Sequence, residues 1–427
     1  MNTFSDVERF LDSLINYEVD TPLGSGRDAP KLEPVRAAVR GMGLSVALPN
    51  CLHIAGTVGK GSTAAFAQVL LSLRHRTLTF TSPHLISARE RVQLDGRNLP
   101  DEAWCRGMTA LRDAHAGGRT PKLTYFETIW LFYLWCAREL GTTAHVVETG
   151  LGGSFDATNV IDYSTAVLTR VHFDHTHILG KTLTEIARDK SGIIKPGCRC
   201  VSVAQEPEAL AQIEASAGRA KAQLLLEDRD FTCTIAGEQV HHYKFGSRAI
   251  ESLDNPLRGE FQRHNLGVAL TAVLAIEPEL HDDEIRAAIA GLHLPGRMQT
   301  VPRHPNLLLD VCHNPASFEE LGIVLRRERQ YSKRVALLAM MKDKDARESL
   351  AGLAGVADEL WITQAPTPRS AQPDDLVESA REIGFLARTI DRETAYRELL
   401  HLPLTSQGVV CGSFYLVGDF MRWLEHA

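Results

Sequence analysis

The sequence predicts an α/β protein in which a P-loop-type domain with a mainly parallel sheet is followed by a smaller Rossmann-like α/β domain. Short apolar runs alternate with helical stretches, and a glycine-rich loop joins the first run to a helix. The alternation restarts after the Pro-Gly pair at residues 295–296. A length of 427 residues suits two domains with separate cores. We place these domains at 1–297 and 298–427.

Composition narrows the functional class. Apolar residues make up 44% and charged residues 23% of the chain, as in ordinary globular proteins. The net charge of −7 argues against nucleic-acid and membrane-surface partners. The eight cysteines form no paired C-x-x-C motifs, which indicates reduced thiols rather than zinc sites. We expect a cytoplasmic protein without a signal peptide, because no basic region followed by an apolar run opens the sequence. We also expect a monomer.

The strands of the first domain lead to its candidate site. Predicted strands lie at 51–55, 76–80, 144–147 and 165–169, with helices at 63–73, 127–140 and 263–276. In parallel sheets, ligands collect at the carboxyl ends of the strands. Gly56, Ser82, Glu148 and His175 all follow such ends. The alternating segment 223–256 predicts a small antiparallel addition.

The second domain repeats the α/β rhythm after a candidate linker at 291–297. Its predicted strands lie at 307–310, 335–339, 359–363 and 408–411, and its predicted helices lie at 315–329 and 374–383. Asp310 ends the first of these strands, where an acid can meet a ribose hydroxyl or another active-site group. A turn that caps the next helix, through His313 and Asn314, explains these residues equally well.

The loop at residues 56–62 has the sequence GTVGKGS and carries the clearest chemistry. Its glycines let backbone N–H groups face phosphate oxygens, and the following helix adds its positive end. Lys60 can reach the β- and γ-phosphates, and Ser62 can supply the hydroxyl that the general P-loop pattern places one residue earlier. The competing interpretation is a glycine-rich turn with a solvated lysine.

Glu148 and a cluster of three histidines are further candidates for metal or catalytic roles. Glu148 is a strand-end carboxylate, a natural Mg²⁺ ligand beside a phosphate loop, although such residues are often caps or ion-pair partners. His172, His175 and His177 cluster in one loop without a set that completes a zinc site. Lys190, by itself, looks like an ordinary surface lysine.

These motifs, in this order, resemble the folylpolyglutamate synthase/dihydrofolate synthase family of the Mur-ligase superfamily. The blocks that carry the resemblance are HIAGTVGKGS at 53–62, TSPHL at 81–85, ERV at 90–92, TYFE at 124–127, ETGLGGSFDATN at 148–159, DH at 174–175, LG at 179–180, IARDKSGIIKPG at 186–197, QRHN at 262–265, PGR at 295–297, LDVCHNPAS at 309–317, MKDKD at 341–345 and GSFYLVG at 412–418. They span nearly the whole chain.

The resemblance implies a reaction and a set of residues. ATP would phosphorylate a pteroate- or folate-type carboxylate, and the amine of L-glutamate would attack the acyl phosphate. The implied ATP contacts are Val58, Gly59, Lys60, Gly61, Ser62, Asn265, Arg297 and Asp310. The implied Mg²⁺ ligands, for two ions, are Ser82, Glu148, His175 and Lys190, the last as a carbamate. The implied catalytic residues are Lys60, Lys190 and His313. The implied contacts of the acid are Thr124, Tyr125, Phe126, Glu127, Phe155, Asp156 and Ala157.

Other functions stay open on the sequence alone. The segment 20–34 differs from the family's early substrate loop, which motivates a Mur-type amide ligase acting on a different carboxylic acid. A phosphate-loop switch or kinase, and a regulatory protein without catalysis, are alternatives from other classes. The second α/β domain argues against the switch or kinase, and the retained Lys60, Glu148, His175 and Lys190 argue against the regulatory protein.

Overall fold

A computed structural model describes residues 1–19, 32–237 and 239–426 of the chain. These residues form two compact units. The first unit comprises Met1–His84, Ala88–Pro256 and Gln262–Leu292, and the second comprises Leu85–Ser87, Leu257–Phe261 and His293–Ala427. Residues 20–31, which hold most of the unusual segment noted above, lie outside the described residues.

The first unit contains ten α-helices and eleven strands among its described residues. In chain order they are α1 (Phe4–Asp12), α2 (Glu33–Met42), β1 (Cys51–Ala55), α3 (Lys60–Leu71), β2 (Thr77–Phe80), β3 (Val92–Leu94), β4 (Arg97–Asn98), α4 (Asp101–Ala116), α5 (Tyr125–Leu140), β5 (Ala144–Glu148), β6 (Thr165–Leu168), α6 (Thr176–Leu179), α7 (Leu183–Lys190), β7 (Arg199–Ser202), α8 (Pro207–Ala220), β8 (Gln223–Leu226), β9 (Phe231–Ile235), β10 (Val240–Phe245), β11 (Arg248–Asp254), α9 (Gln262–Leu274) and α10 (Asp282–Ala290). Short 3-10 helices lie at Ala88–Arg91, Ala157–Val160 and Ser191–Ile193.

Eight strands of this unit form one sheet in the order β4-β3-β2-β5-β1-β6-β7-β8. The pairs from β2 to β8 are parallel, and β3 and β4 add an antiparallel edge. β1 is fully buried at the centre, between β5 and β6. The residues that follow β1, β2, β5 and β6 therefore meet at one edge of the sheet, as the sequence predicts.

A separate antiparallel sheet with the order β11-β10-β9 confirms part of the prediction for segment 223–256. The prediction is wrong for residues 223–226, which form β8 and pair in parallel with β7. The reason is the preceding helix α8, which returns the chain to the large sheet in a βαβ connection. A four-residue apolar run does not by itself specify its partner strand.

The second unit contains a six-stranded sheet with the order β12-β13-β17-β14-β15-β16. Its elements are β12 (Gln299–Val301), β13 (His304–Leu309), α11 (Pro315–Arg327), β14 (Lys333–Leu338), α12 (Ala346–Ala351), β15 (Glu359–Ile362), α13 (Pro373–Glu382), β16 (Leu386–Thr389), α14 (Arg392–Leu400), β17 (Ser406–Cys411) and α15 (Phe414–His426). All pairs except β12–β13 are parallel. The mainly parallel eight-stranded and six-stranded sheets of the two units confirm the predicted α/β fold class.

Burial divides the apolar residues between the two units. In the first unit, α5 presents a buried aromatic set, including Trp130, Phe132 and Tyr133, to β2 and α4. In the second unit, two apolar clusters cover the sheet. Within the described ranges, no helix combines the length and the apolar character that crossing a membrane requires.

Candidate nucleotide and metal site

The glycine-rich loop lies between β1 and α3, as predicted. Gly59 precedes α3 with a φ of +91° and, as a glycine, has no side chain to cap the first turn of the helix. A Cβ on Gly59 would lie 2.1 Å from Oδ1 of Asn265. Glycine is therefore required here for both conformation and space, and the N–H groups of the first turn, which contains Gly61 and Ser62, are left for a ligand.

A neighbouring turn holds the start of the loop. The N–H groups of Thr57 and Val58 donate to the carbonyl of Arg170, at 2.8 and 3.3 Å. The Thr57 hydroxyl donates to the carbonyl of His172 and accepts from the N–H of the same residue. These bonds connect the loop after β1 to the loop after β6.

Lys60, Ser82 and Glu148 come together although they are distant in sequence. Nζ of Lys60 lies 3.9 Å from Oε1 of Glu148. The backbone N–H of Ser82 donates to Oε2 of Glu148 over 3.3 Å. Glu148 is only 4% exposed. The arrangement places a buried carboxylate beside the lysine of a phosphate loop, where a cation bound to phosphates can use it.

Lys190 contacts the beginning of the loop. It is 4% exposed, and its ammonium group donates to the carbonyl of Gly56 over 2.8 Å. Burial, and secondarily the charge of Lys60, lowers the pKa of Lys190 to about 7. The residue is thus a buried neighbour of the loop and not the surface lysine that its local sequence suggests.

His175 lies in the loop that follows β6, with a left-handed backbone at φ 49° and ψ 39°. Its Nε2 lies 3.8 Å from Oδ1 of Asp174, and its ring centroid lies 6.2 Å from that of His177. A non-glycine residue in this conformation is uncommon and often marks a functional loop.

The first turn of α9 also contacts the loop, close to the start of α3. Nε2 of Gln262 donates to the Ser62 hydroxyl over 3.4 Å, and Nδ2 of Asn265 donates to Oε1 of Gln262 over 2.9 Å. The sequence prediction included Asn265 and missed Gln262 as a site residue. The QRHN block at 262–265 contains both residues, so the same motif that indicated Asn265 could also have indicated Gln262.

The second unit brings Arg297, Asp310 and His313 near one another. Asp310 is buried, and its carboxylate accepts from the N–H groups of Met298 and Cys312 at 2.9 and 2.8 Å. Burial raises the pKa of Asp310, against the lowering effect of Arg297. Phe414, which the prediction did not include as a site residue, packs against both the Arg297 guanidinium and the His313 ring, with distances of 5.3 and 5.7 Å.

The predicted contacts of the acid have strong structural roles. Thr124 and Glu127 form a capping box at the start of α5, in which each side chain accepts from the backbone N–H of the other residue. The buried Asp156 accepts from the N–H groups of Leu151 and Thr158.

The remaining predicted contacts are the aromatic side chains and Ala157. Tyr125 is buried beneath the Arg91 guanidinium, and Phe126 contacts Phe80 edge to face. Phe155 is 52% exposed, and Ala157 is nearly buried beside it in the chain.

The donor set fits a magnesium-type ion held partly by its nucleotide. Among residues 1–19, 32–237 and 239–426, no three His, Cys, Asp or Glu side chains are grouped to hold a metal ion by themselves. Mg²⁺ commonly takes one or two protein carboxylates and completes its shell with phosphate and water oxygens. Glu148, beside Lys60 and Ser82, is a buried carboxylate of the kind that such an ion can use.

The fold and this site define an α/β protein with a phosphate-binding loop, and its similarity to known proteins identifies the class as ATP-dependent ligases. Residues 296–413 match the family described as "Mur ligase, glutamate ligase domain". The chain belongs to the dihydrofolate synthase/folylpolyglutamate synthase family, because it is 30% identical to the Escherichia coli (strain K12) protein of that name over 92% of this chain and 91% of the relative.

Two solved structures share the whole fold. One is described as E. coli FolC in complex with DHPP and ADP, with a TM-score of 0.87 and 28% identity over 98% of each chain. Another, a bifunctional folylpolyglutamate synthase/dihydrofolate synthase with Mn, AMPPNP and L-glutamate bound, has a TM-score of 0.85 and 28% identity over 100% of this chain and 98% of the other. The family predicted from the sequence is thereby confirmed.

Proposed function

We propose that this chain joins L-glutamate to the carboxylate of a pteroate or folate, as a dihydrofolate synthase, a folylpolyglutamate synthase or both. The observation that carries the proposal is the grouping of Lys60, Ser82 and Glu148 beside the glycine-rich loop, in a chain that belongs to this family. ATP transfers its γ-phosphoryl group to the acid, and the glutamate amine then displaces phosphate from the acyl phosphate to form an amide.

The first unit supplies the phosphate and metal contacts in this proposal. The N–H groups of Gly59, Gly61 and Ser62 donate hydrogen bonds to phosphate oxygens, and Lys60 balances the negative charge of the phosphates. Ser82, Glu148 and His175 provide ligands for Mg²⁺, and we propose two such ions. When bound, the metal neutralises phosphate charge and polarises the transferred group.

Lys190 has a particular place in the proposal. A carbamate forms when a neutral lysine amine attacks CO₂ and loses a proton. The side chain, which is ordinarily a cation, then becomes an anion. Burial of Lys190 supports this assignment, because it lowers the pKa of the amine to about 7 and so favours the neutral form that attacks CO₂. The resemblance to the family supplies the expectation of carbamylation.

The domains at 1–297 and 298–427 have separate roles in this proposal. Val58 and Asn265 in the first, with Arg297 and Asp310 at and beyond the boundary, contact the nucleotide. The second domain is the glutamate-ligase domain, and His313 lies near the incoming glutamate. The Arg297–Phe414–His313 packing supports a preformed surface for these ligands.

The acid is proposed to contact Phe126 and Phe155 with its ring system, since Phe155 is an exposed aromatic in the loop that follows β5. Tyr125 and Ala157 border this surface, whereas Thr124, Glu127 and Asp156 shape it through their backbone bonds. We also propose a monomer in the cytoplasm. The free, buried state of the eight cysteines supports a reducing compartment, and one chain carries every proposed contact.

A coupled ADP assay tests the function. Dihydropteroate and tetrahydrofolate are each supplied with and without glutamate, and we expect ADP formation to require both an acid and glutamate. Lys60→Met is the control, because it removes the phosphate-facing charge from the same chain. Glutamate-independent ADP formation would indicate phosphotransfer instead. No turnover with either acid would contradict the proposal, and a phosphate-release screen of other acids would then identify the substrate.

A further inference from the structure

Glu227 is a buried carboxylate that the proposed reaction does not use. It follows β8 at the carboxyl edge of the large sheet and is 2% exposed. Its Oε2 accepts from Nδ1 of His264 over 2.7 Å and from the N–H of Ala204 over 3.1 Å. Its Oε1 accepts from Nη1 of Arg263 over 3.3 Å. A buried anion with several charged or polar donors is energetically demanding to replace.

One set of these contacts leads to the end of the glycine-rich loop. His264 and Arg263 lie in the first turn of α9, between Gln262 and Asn265. Those two residues contact Ser62 and the space beside Gly59, as described above. By fixing the first turn of α9, Glu227 therefore fixes the side chains that border the loop where it enters α3.

A second set leads to the beginning of the loop. Ala204, held by Glu227, is followed by Gln205, whose side chain accepts from the N–H of Val171 over 2.9 Å and donates to the carbonyl of Thr169 over 3.0 Å. Arg170 lies between these two residues, and its carbonyl accepts hydrogen bonds from the N–H groups of Thr57 and Val58. The two sets thus end at opposite ends of one loop.

We propose that Glu227 is a positioning residue that fixes the glycine-rich loop from both ends and thereby sets the affinity of the chain for adenine nucleotides. The inference rests on the proposed nucleotide site. A carboxylate suits this role because its two oxygens accept from a guanidinium, an imidazole and a backbone N–H at once. A glutamine would offer one acceptor oxygen and turn an NH₂ group toward a donor.

The test compares Glu227→Gln with the matched control Glu277→Gln. Oε1 of Glu277 lies 2.8 Å from Nε2 of His75, so the same kind of pair is present beyond the other end of α9. ADP binding is measured by calorimetry with Mg²⁺. We expect Glu227→Gln to raise the dissociation constant of ADP about tenfold, because one charge-assisted hydrogen bond is lost. Glu277→Gln should leave this constant unchanged.

Steady-state constants separate positioning from general damage. Glu227→Gln is expected to raise KM for ATP while kcat and KM for glutamate change less than twofold, and Glu227→Asp is expected to restore part of the affinity. His264→Ala and Gln205→Ala, at partly exposed positions, should each weaken ADP binding less than Glu227→Gln. These two variants decide the question if Glu227→Gln does not fold.

Two results would overturn the inference. One is an unchanged ADP affinity in Glu227→Gln, or in both substitute variants if it does not fold. The other is an equal rise in KM for ATP, glutamate and the acid. Because ADP binding needs no turnover, a wild-type chain that binds ADP without ligating glutamate contradicts only the proposed function. A wild-type chain that binds no ADP contradicts both.

Discussion

Lys190 shows how much a single residue depends on the fold around it. Its local sequence, near the end of a polar helix, is typical of a solvated lysine. The structure instead buries it against the carbonyl of Gly56, where desolvation and the charge of Lys60 lower its pKa to about 7. The sequence contains no local signal for this burial, because the partner lies 134 residues away.

We predict that Lys190→Ala lowers glutamate-dependent ADP formation about a hundredfold or more, since a positioned charged group at a phosphoryl-transfer site is lost. Short carboxylic acids should restore part of the activity by replacing a carbamate. The measurement is the coupled ADP assay with increasing acetate or formate.

Lys195→Ala is the control for this experiment. Lys195 is also partly buried, and it donates to the carbonyl of Asn159 rather than to the glycine-rich loop. The activity of the Lys195→Ala variant should not change when carboxylic acids are added. Failure of rescue in Lys190→Ala, together with an unmodified Lys190 mass in the wild type, would contradict carbamylation.

At the scale of elements, the sequence predicted the strands with dense apolar runs. β1, β2, β5 and β6 are fully buried, so their composition shows them clearly. β16 was not predicted because three of its four residues are exposed and only Ala387 is buried. β12 has three residues, which is too short for a recognisable alternation.

The capping box of α5 separates a structural role from a substrate role. Thr124→Ala is expected to lower the free energy of unfolding by about 1 kcal/mol, and Thr124→Ser to restore it, because a hydroxyl accepts the N–H of the first turn. Urea unfolding measures this change. If Thr124 acts only through α5, KM for the acid rises in Thr124→Ala and returns in Thr124→Ser.

Thr3→Ala provides the comparison, since Thr3 forms the same capping box with Asp6 at the start of α1. It should lower stability without changing KM for the acid. A Thr124→Ser variant with normal stability and a raised KM would instead indicate that Thr124 contacts the acid directly through its side chain.

At the scale of the whole molecule, short motifs located the site and long-range contacts completed it. Gly56, Glu148 and Asp310 stand in recognisable strand-end patterns, so the sequence indicated them. The Gln262–Ser62 bond joins residues 200 positions apart, and the bonds from Thr57 and Val58 to the Arg170 carbonyl span 113 and 112 positions. A backbone carbonyl has no sequence signature.

The division of the chain also differs from a simple linear order. Leu257–Phe261 belongs to the second unit, although the residues on both sides of it belong to the first. Arg258 pairs with Glu328, whose side chain is 10% exposed and also accepts from Nε2 of Gln407 over 2.7 Å. Glu260 pairs with Arg327 over 2.5 Å at a more exposed position.

These two ion pairs differ in burial, so they should differ in their contribution to the stability of the second unit. Arg258→Ala leaves a nearly buried carboxylate without its Arg258 partner and should lower the free energy of unfolding by about 2 kcal/mol. Glu260→Ala breaks an exposed pair in the same segment and should lower it by less than about 1 kcal/mol. Amide exchange at β14 reports the second unit directly, because this strand is buried between β15 and β17. Equal losses in the two variants, or a loss of protection confined to β1 and β5, would show that Arg258 does not hold this segment in the second unit.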